Sequence, residues 1–178
     1  MDVVLRPWHP SDAGALFAAI GAAPDLAAQF RGADVSSRRA VERHIRKQLA
    51  RPAPNKVDFA IEMDGVAVGN VGISRIEHVN DTGWVFYWLA PAARGHGLAT
   101  RALATVSAWA FDEGALFRLE LGHRVNNPAS CRVATRAGFV AEGVERQKLR
   151  YGSERFDVET HSRLRSDAPP STRLLPVR

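Results

Sequence analysis

The residues with the most evident chemical use form a glycine-containing turn between an apolar run and a helical pattern, in the segment Trp88–Thr100. Gly95 and Gly97 allow the backbone to approach a ligand closely and to adopt positive φ at little cost. The N–H groups that open the following helix have no intrahelical partners and favour an anion. The turn therefore predicts a pyrophosphate site, although a glycine turn before a helix also serves as a plain tight connection.

Alternating strand and helix patterns surround this turn and must position it. The predicted strands cover about residues 3–6, 57–63, 66–73, 84–89, 117–121, 139–149 and 155–165. The predicted helices begin after Pro10, with Ser11 as N-cap, and then cover about residues 36–50, 98–112 and 128–137. This order predicts an α/β (α+β) fold in which a central strand leads through a helix to a neighbouring strand. We expect one domain over residues 1–166.

The composition is that of a globular domain, because 46% of the 178 residues are hydrophobic and 24% are charged. The formal net charge is +5, but basic residues are interleaved with acidic ones, as in residues 38–47, where they predict a solvated helix face. This interleaving argues against nucleic-acid binding and fits an anionic cofactor or an acidic partner. No window approaches the roughly 18 apolar residues of a membrane span, so we expect a cytoplasmic protein without a membrane partner.

The cysteine content and the C-terminal segment add further expectations. Cys131 is the single cysteine, and no Cys/His set has the spacing of a zinc site, so we expect neither an intramolecular disulfide nor a metal. Residues 167–178 carry three prolines and no periodicity, which predicts a flexible tail. A sheet edge paired between two copies, together with Leu174 and Leu175 of that tail, would support a homodimer.

The turn also matches a cofactor motif, because Arg94-Gly95-His96-Gly97-Leu98-Ala99 follows the pattern Q/R-x-x-G-x-G/A. In this the chain resembles the GNAT superfamily of N-acetyltransferases that use acyl-coenzyme A. Three further stretches, 74–80, 87–89 and 124–139, resemble the bacterial branch that acetylates the N-termini of ribosomal proteins. The resemblance covers about residues 3–165. It implies a mixed, partly parallel seven-stranded sheet flanked by helices, with splayed fourth and fifth strands.

The resemblance assigns acetyl-coenzyme A to the gap between the splayed strands. The pantetheine arm would pair like an added strand with the main chain near Trp88, Leu89 and Ala90. Asn127 is implied as a further partner of that arm. The pyrophosphate would take N–H groups of the glycine turn, as the glycines themselves predict. The residues of the turn assigned to it are Arg94, Gly95, His96, Gly97, Leu98, Ala99 and Thr100.

By the same resemblance, Ser130 donates the proton that the leaving thiolate needs. The tyrosine that many other members place four residues later is Ala134 here, which strengthens the assignment to Ser130. Local roles also fit these residues, because Asn127 suits the N-cap of its helix and a first-turn serine often bonds nearby backbone.

The general base has two candidates, because residues 146–150, where the family carboxylate is expected, contain none. His123 follows the fifth predicted strand, and a histidine there can accept a proton directly or through water. Glu77, before the central strand, is the other candidate. The alternatives are a structural histidine and an ordinary edge-strand charge.

The predicted function is direct transfer of an acetyl group from acetyl-coenzyme A to a primary amine. An α-amine with a pKa of about 8 is roughly a tenth neutral at pH 7, whereas lysine is neutral only about once in several thousand molecules. A site without an evident strong base therefore favours a protein N-terminal α-amine. The alternatives are acetylation of a small-molecule amine or antibiotic, and a coenzyme A sensor that no longer catalyses.

Overall fold

A computed structural model describes residues 1–30, 32–51 and 53–178. Within these residues, seven strands form one sheet in the order β1-β2-β3-β4-β5-β7-β6. Neighbouring strands are antiparallel, except that β4 and β5 are parallel. The predicted mixed seven-stranded sheet is therefore confirmed. The strands are β1 (Val3–Arg6), β2 (Val57–Met63), β3 (Val66–Glu77), β4 (Thr82–Leu89), β5 (Arg118–Arg124), β6 (Val140–Tyr151) and β7 (Glu154–Leu164).

The helices lie on both faces of this sheet. They are α1 (Ala13–Ala22), α2 (Pro24–Ala27), α3 (Arg38–His44, continued by a π-helical turn over Ile45–Leu49), α4 (Leu98–Asp112) and α5 (Pro128–Arg136). The expected cap at Ser11 is wrong, because a 3₁₀ turn over Pro10–Asp12 precedes α1. Asp12, which also bonds Arg6, accepts the backbone N–H of His9 at 2.9 Å.

Two hydrophobic clusters hold the helices against the sheet. On one face, the helical spacing of α4 buries Leu98, Ala102, Val106 and Ala110 completely against the inner side chains of β2 to β5. On the other face, α1 and α3 pack around Trp88, whose ring lies 5.9 Å from that of Trp8. The sheet is thus fixed from both sides where β4 runs through its centre.

The parallel pair at the centre of the sheet separates along its length. Among the described residues, β4 and β5 pair with each other only over Thr82–Trp84 of β4 and Arg118–Glu120 of β5. β4 nevertheless continues to Leu89 and β5 to Arg124, so their carboxyl-terminal halves leave a gap. The predicted splay of the fourth and fifth strands is observed.

The segment expected to form a flexible tail lies against the body of the protein. The N–H of Leu5 donates to Pro176 O, and the N–H of Arg178 donates to Leu5 O, each at 2.9 Å. Leu175 is only 4% exposed, and its N–H donates to Thr105 Oγ1. Leu175 is therefore not available for contact with a second copy, and the homodimer stays a prediction.

The length and hydropathy of the helices determine whether one could cross a membrane. Among the described residues, no single helix is both long and apolar enough to cross a membrane. The pair Pro10–Ala22 and Pro24–Phe30 reaches that length and composition only across a 112° bend.

Candidate active site

The glycine turn connects β4 to α4 in the conformation expected from its residue types. Gly95 has φ +84° and Gly97 has φ +72°, and apart from each glycine and its two chain neighbours no atom lies within 4 Å of the position that a Cβ would take. Gly97 is the N-cap of α4, and Arg101 N–H makes a helical bond to Gly97 O. The N–H groups at the start of α4 therefore precede the first intrahelical bonds and face outward.

A cavity of about 370 Å³ opens between this turn, the end of β4 and the start of α5. It brings together most of the residues that the sequence assigns to the cofactor. These are Trp88, Leu89, Arg94, Gly95, Gly97, Leu98, Ala99, Thr100 and Asn127. Ser130 lines the same cavity, so the turn and the proposed acid share one site.

Two of the assigned residues do not line this cavity. His96 is exposed at the outside of the turn, and Ala90 donates its N–H to Val68 O on β3 at 2.8 Å. Because hydrogen-bonded and non-bonded pairs alternate in an antiparallel ladder, the peptide groups of Leu89 face away from β3 and into the gap. Leu89, rather than Ala90, therefore offers main-chain groups to a ligand there.

The side chain of Arg94 ties the turn to its surroundings. Its Nε donates to Leu89 O at 3.1 Å, and its guanidinium lies 2.8 Å from the carboxylate of Asp25 in α2. Asp25 lines the cavity and was not singled out from the sequence, because 69 residues separate it from Arg94. This ion pair neutralises part of the positive charge that Arg94 brings to the turn.

Asn127 and Ser130 form a two-way pair at the start of α5. Asn127 Oδ1 accepts the N–H of Ser130 at 3.2 Å, which is the predicted N-cap, and Asn127 Nδ2 donates to Ser130 Oγ at 3.0 Å. Ser130 Oγ thus accepts a hydrogen bond while its own hydroxyl hydrogen remains available to an acceptor in the cavity. Capping and proton donation are compatible in this geometry.

Tyr87 also lines the cavity, although the sequence indicated no role for it beyond the stretch 87–89 that resembles the ribosomal branch. The period of two along β4 puts Tyr87 on the α5 side, whereas Phe86 and Trp88 lie on the opposite face. Its hydroxyl makes a weak 3.4 Å hydrogen bond to Ser130 O. Burial raises the pKa of Tyr87, so the phenol stays protonated at neutral pH.

Glu77, one candidate base, is engaged elsewhere and does not line the cavity. Its carboxylate accepts the Thr82 hydroxyl at 2.9 Å and the N–H groups of Val79 and Asn80. These hydrogen bonds, above all that from Thr82, lower the pKa of Glu77. Glu77 therefore holds the turn between β3 and β4 and is not brought to Ser130.

His123, the other candidate base, is buried on β5 and also lies outside the cavity lining. Its Nε2 lies 3.0 Å from His161 Nε2 and 3.2 Å from Glu159 Oε2. Cys131, the neighbour of Ser130 on α5, completes this group. The sequence reasoning missed the association because β5–β7 pairing, and not short spacing, produces it.

A second cavity, of about 570 Å³, lies on the opposite face of the sheet between Trp88 and α3. It shares Gln29 and Trp88 with the first cavity. Arg43, Lys47 and Lys56 line it; Arg43 is paired with Asp34 at 3.0 Å and Lys56 with Asp58 at 2.8 Å. This cavity is therefore next to the first one and has an excess of positive charge.

Comparison with known proteins gives a consistent result. The model of the acetyltransferase (GNAT) domain family matches residues 2–140. The chain is 32% identical to the ribosomal-protein-serine acetyltransferase of Escherichia coli K12 over 106 residues, which are 60% of this chain and 59% of that protein. The matched segments span about three fifths of the length of the curated relatives.

Solved structures share the architecture. RimL, a ribosomal L7/L12 α-N-protein acetyltransferase in complex with coenzyme A, superimposes with a TM-score of 0.82 and 23% identity, over 92% of this chain and 94% of that one. Mycobacterium smegmatis RimJ in complex with CoA-disulfide gives a TM-score of 0.73 and 28% identity, over 91% and 81%.

Proposed function

The chain belongs to the GNAT acetyltransferase domain family, and from this premise we propose that it transfers an acetyl group from acetyl-coenzyme A directly to a primary amine. One observation carries the proposal. The gap between β4 and β5, the positive-φ turn and the Asn127–Ser130 pair all open onto one cavity. Relatives with this fold are described in complex with coenzyme A.

The coenzyme fits this cavity in two parts. The peptide groups of Leu89 face the gap and suit the amides of a pantetheine arm, which would add to β4 as a strand does. The outward N–H groups from Gly95 to Thr100 and the start of α4 suit the pyrophosphate. Asn127 lines the same cavity, which supports its proposed role as a contact of the pantetheine arm.

Ser130 acts as the acid in the proposed reaction. The amine nitrogen attacks the thioester carbon, the C–N bond forms, and the C–S bond breaks as the oxyanion collapses. The Ser130 hydroxyl proton passes to the leaving thiolate, and the proton lost by the amine restores the hydroxyl. Asn127 orients Ser130 Oγ for this step, and the protonated phenol of Tyr87 lies 3.4 Å from the backbone carbonyl oxygen of Ser130.

We propose a protein N-terminal α-amine as the acceptor. Neither Glu77 nor His123 lines the cavity, so a substrate that is already partly neutral near pH 7 suits the site better than a lysine. The second cavity, which shares Gln29 and Trp88 with the first, offers room for the residues that follow such an amine. The names of the relatives, which act on ribosomal proteins, point the same way.

The acceptor is tested with matched peptides. The purified chain is given acetyl-coenzyme A and either a peptide with a free N-terminus and no lysine, or the same peptide with a blocked N-terminus and one lysine. Thiol release and mass spectrometry should show acetylation of the first peptide only. Turnover restricted to polyamines or amino sugars would instead identify a small-molecule acetyltransferase, and tight cofactor binding without turnover on any amine would identify a sensor.

A further inference from the structure

Four side chains with metal-binding atoms meet beneath the first turn of α5, and the proposed acetyl transfer uses none of them directly. His123 lies on β5, Glu159 and His161 lie on β7, and Cys131 lies on α5. β5 and β7 pair in a register that sets His123 opposite Glu159, and Glu159 and His161 are two residues apart on one face. One donor atom from each of the four lies within 4.8 Å of every other.

Three of these atoms form a nearly equilateral triangle. His123 Nε2 and His161 Nε2 are 3.0 Å apart, and Glu159 Oε2 lies 3.2 Å from the first and 3.0 Å from the second. In a tetrahedral zinc site with bonds of 2.0–2.3 Å, the ligand atoms are separated by about 3.3–3.8 Å. The triangle therefore has almost the size that a bound ion requires, and Cys131 Sγ, within 4.8 Å of each of the three atoms, is the candidate for the fourth ligand.

Hydrogen bonds alone do not satisfy this triangle. An imidazole nitrogen either donates its hydrogen or accepts with its lone pair, and an ionised carboxylate only accepts. With two ring nitrogens and one carboxylate oxygen in mutual contact, every arrangement of protons leaves at least one edge between two lone pairs or two N–H groups. A cation at the centre attracts all three lone pairs at once and removes the conflict.

The surroundings of His123 select the ring form that binds metal. His123 Nδ1 lies 3.1 Å from Arg124 O, and because a carbonyl only accepts, this nitrogen carries the hydrogen and Nε2 of a neutral ring carries the lone pair. Donation of the outer ring N–H to a carbonyl is the usual support of a metal-bound histidine. His161 Nδ1 has no hydrogen-bond partner within the described part of the chain, so no contact there prevents Nε2 from presenting its lone pair.

We propose that His123, Cys131, Glu159 and His161 bind one Zn²⁺ ion. Two imidazoles, a thiolate and a carboxylate form a donor set that zinc accepts in tetrahedral geometry. The histidines are 7% and 2% exposed, whereas Cys131 and Glu159 are partly open, so the ion has an entry path. Bound zinc would fasten the first turn of α5, and with it Ser130, to β5 and β7. It would also correct the expectation of no metal.

The test measures metal binding and is independent of acetyl transfer. Protein dialysed against EDTA is titrated with ZnCl₂ in competition with a chromogenic chelator, and with CoCl₂ while the visible spectrum is recorded. We expect one equivalent of Zn²⁺, and a cobalt spectrum with tetrahedral bands and a thiolate charge-transfer band that C131S loses. H161Q should weaken zinc binding by about 100-fold or more, because losing a ligand costs more than losing an outer hydrogen-bond partner.

Matched variants make the outcome decisive. His78 is exposed and distant in sequence from the cluster, so H78Q should bind zinc as the wild type does. C131S nearly preserves the side-chain volume at a partly exposed position. It replaces H161Q as the test variant if circular dichroism shows that H161Q does not fold. Substoichiometric zinc in the wild type would overturn the proposal, as would equal zinc affinity in the wild type and in the folded ligand variants.

Discussion

At the scale of single residues, the site depends on short polar side chains that each perform two tasks. Asn127 caps α5 through Oδ1 and holds Ser130 Oγ through Nδ2. Ser130 accepts that bond and keeps a hydrogen to donate. Because both bonds lie within the first turn of one helix, the position of the Ser130 hydroxyl is determined by local geometry.

Ser130→Ala should lower turnover at saturating acetyl-coenzyme A by about 100-fold or more, because the leaving thiolate loses its proton donor. The measurement is steady-state thiol release with a peptide acceptor. Thr135→Ala, on the same helix, removes a hydroxyl that bonds only Cys131 O among the described contacts and should leave turnover unchanged. If Ser130→Ala kept wild-type turnover, the acid role would have to pass to another hydroxyl such as that of Tyr87.

At the scale of elements, the junction of β4 and α4 creates the phosphate site. The end of β4 presents the peptide groups of Leu89 to the gap. The chain then turns at Gly95 and Gly97, which both have positive φ, and α4 starts with N–H groups that have no intrahelical partner. Arg94 braces the turn against Leu89 O and Asp25. A change in backbone conformation here would therefore affect stability and ligand binding together.

Gly97→Ala should destabilise the protein by about 1–2 kcal/mol, because φ +72° brings the added Cβ close to the following carbonyl oxygen. It should also weaken acetyl-coenzyme A binding, since the turn would relax away from the conformation that presents its N–H groups. Denaturant unfolding and calorimetry measure the two effects. Gly143→Ala on β6 adds a methyl group with open space and no positive φ, and should change neither.

The β5–β7–β6 unit carries a pH-dependent contact. Hydrogen bonds from Arg118 and Ser162 hold the pKa of Glu142 down to about 2. A depressed folded-state pKa means that the contact stabilises the fold above the unfolded value of about 4.5 and is lost as pH falls toward 2. The side chains of Arg118 and Glu142 are 28% and 43% exposed, and screening by solvent keeps the effect modest.

Glu142→Gln should therefore lower the urea midpoint at neutral pH, and its difference from the wild type should shrink as pH falls below about 4.5 and be largely gone by pH 2. Urea unfolding followed across this pH range measures the difference. Glu154→Gln, at the exposed start of β7, removes an equal charge outside this contact and serves as the control. A Glu142→Gln difference that is independent of pH would contradict the assignment.

At the scale of the whole molecule, the C-terminal segment closes one edge of the sheet. Residues 175–178 run beside β1 and pass over α4, where Leu175 enters the core shared by the sheet and that helix. Residues 167–178 carry three prolines and have no periodicity, and such a pattern does not distinguish a flexible tail from a packed segment. Burial of Leu175 decides the outcome, together with two backbone hydrogen bonds to Leu5 and one from the Leu175 N–H to Thr105 Oγ1.

Leu175→Ala should lower the free energy of unfolding by about 2–4 kcal/mol, because it leaves a cavity in the core. Leu174→Ala, next to it and 46% exposed, should cost less than about 0.5 kcal/mol. Equilibrium denaturation of the two variants gives the comparison. Equal, small effects would mean that the segment does not pack against the body in solution.

Several predictions from the sequence are confirmed because they depend on neighbouring residues. The periods of two and 3.6 predict the strands and α4, and the Asn-Pro pair predicts the start of α5. The left-handed glycines before α4 follow from residue type alone. In each case, the interactions that decide the local structure join residues within about ten positions of one another.

Tertiary structure alone decided the remaining features. Asp25 meets Arg94, Tyr87 meets Ser130, and His123 meets Glu159 and His161, through contacts that span 36 residues or more. Such contacts depend on strand register and on helix docking, which short spacing does not encode. The sequence by itself therefore determined the elements, the glycine turn and the family resemblance. The fold determined which donor atoms share a site, because it sets distances between residues far apart in the chain.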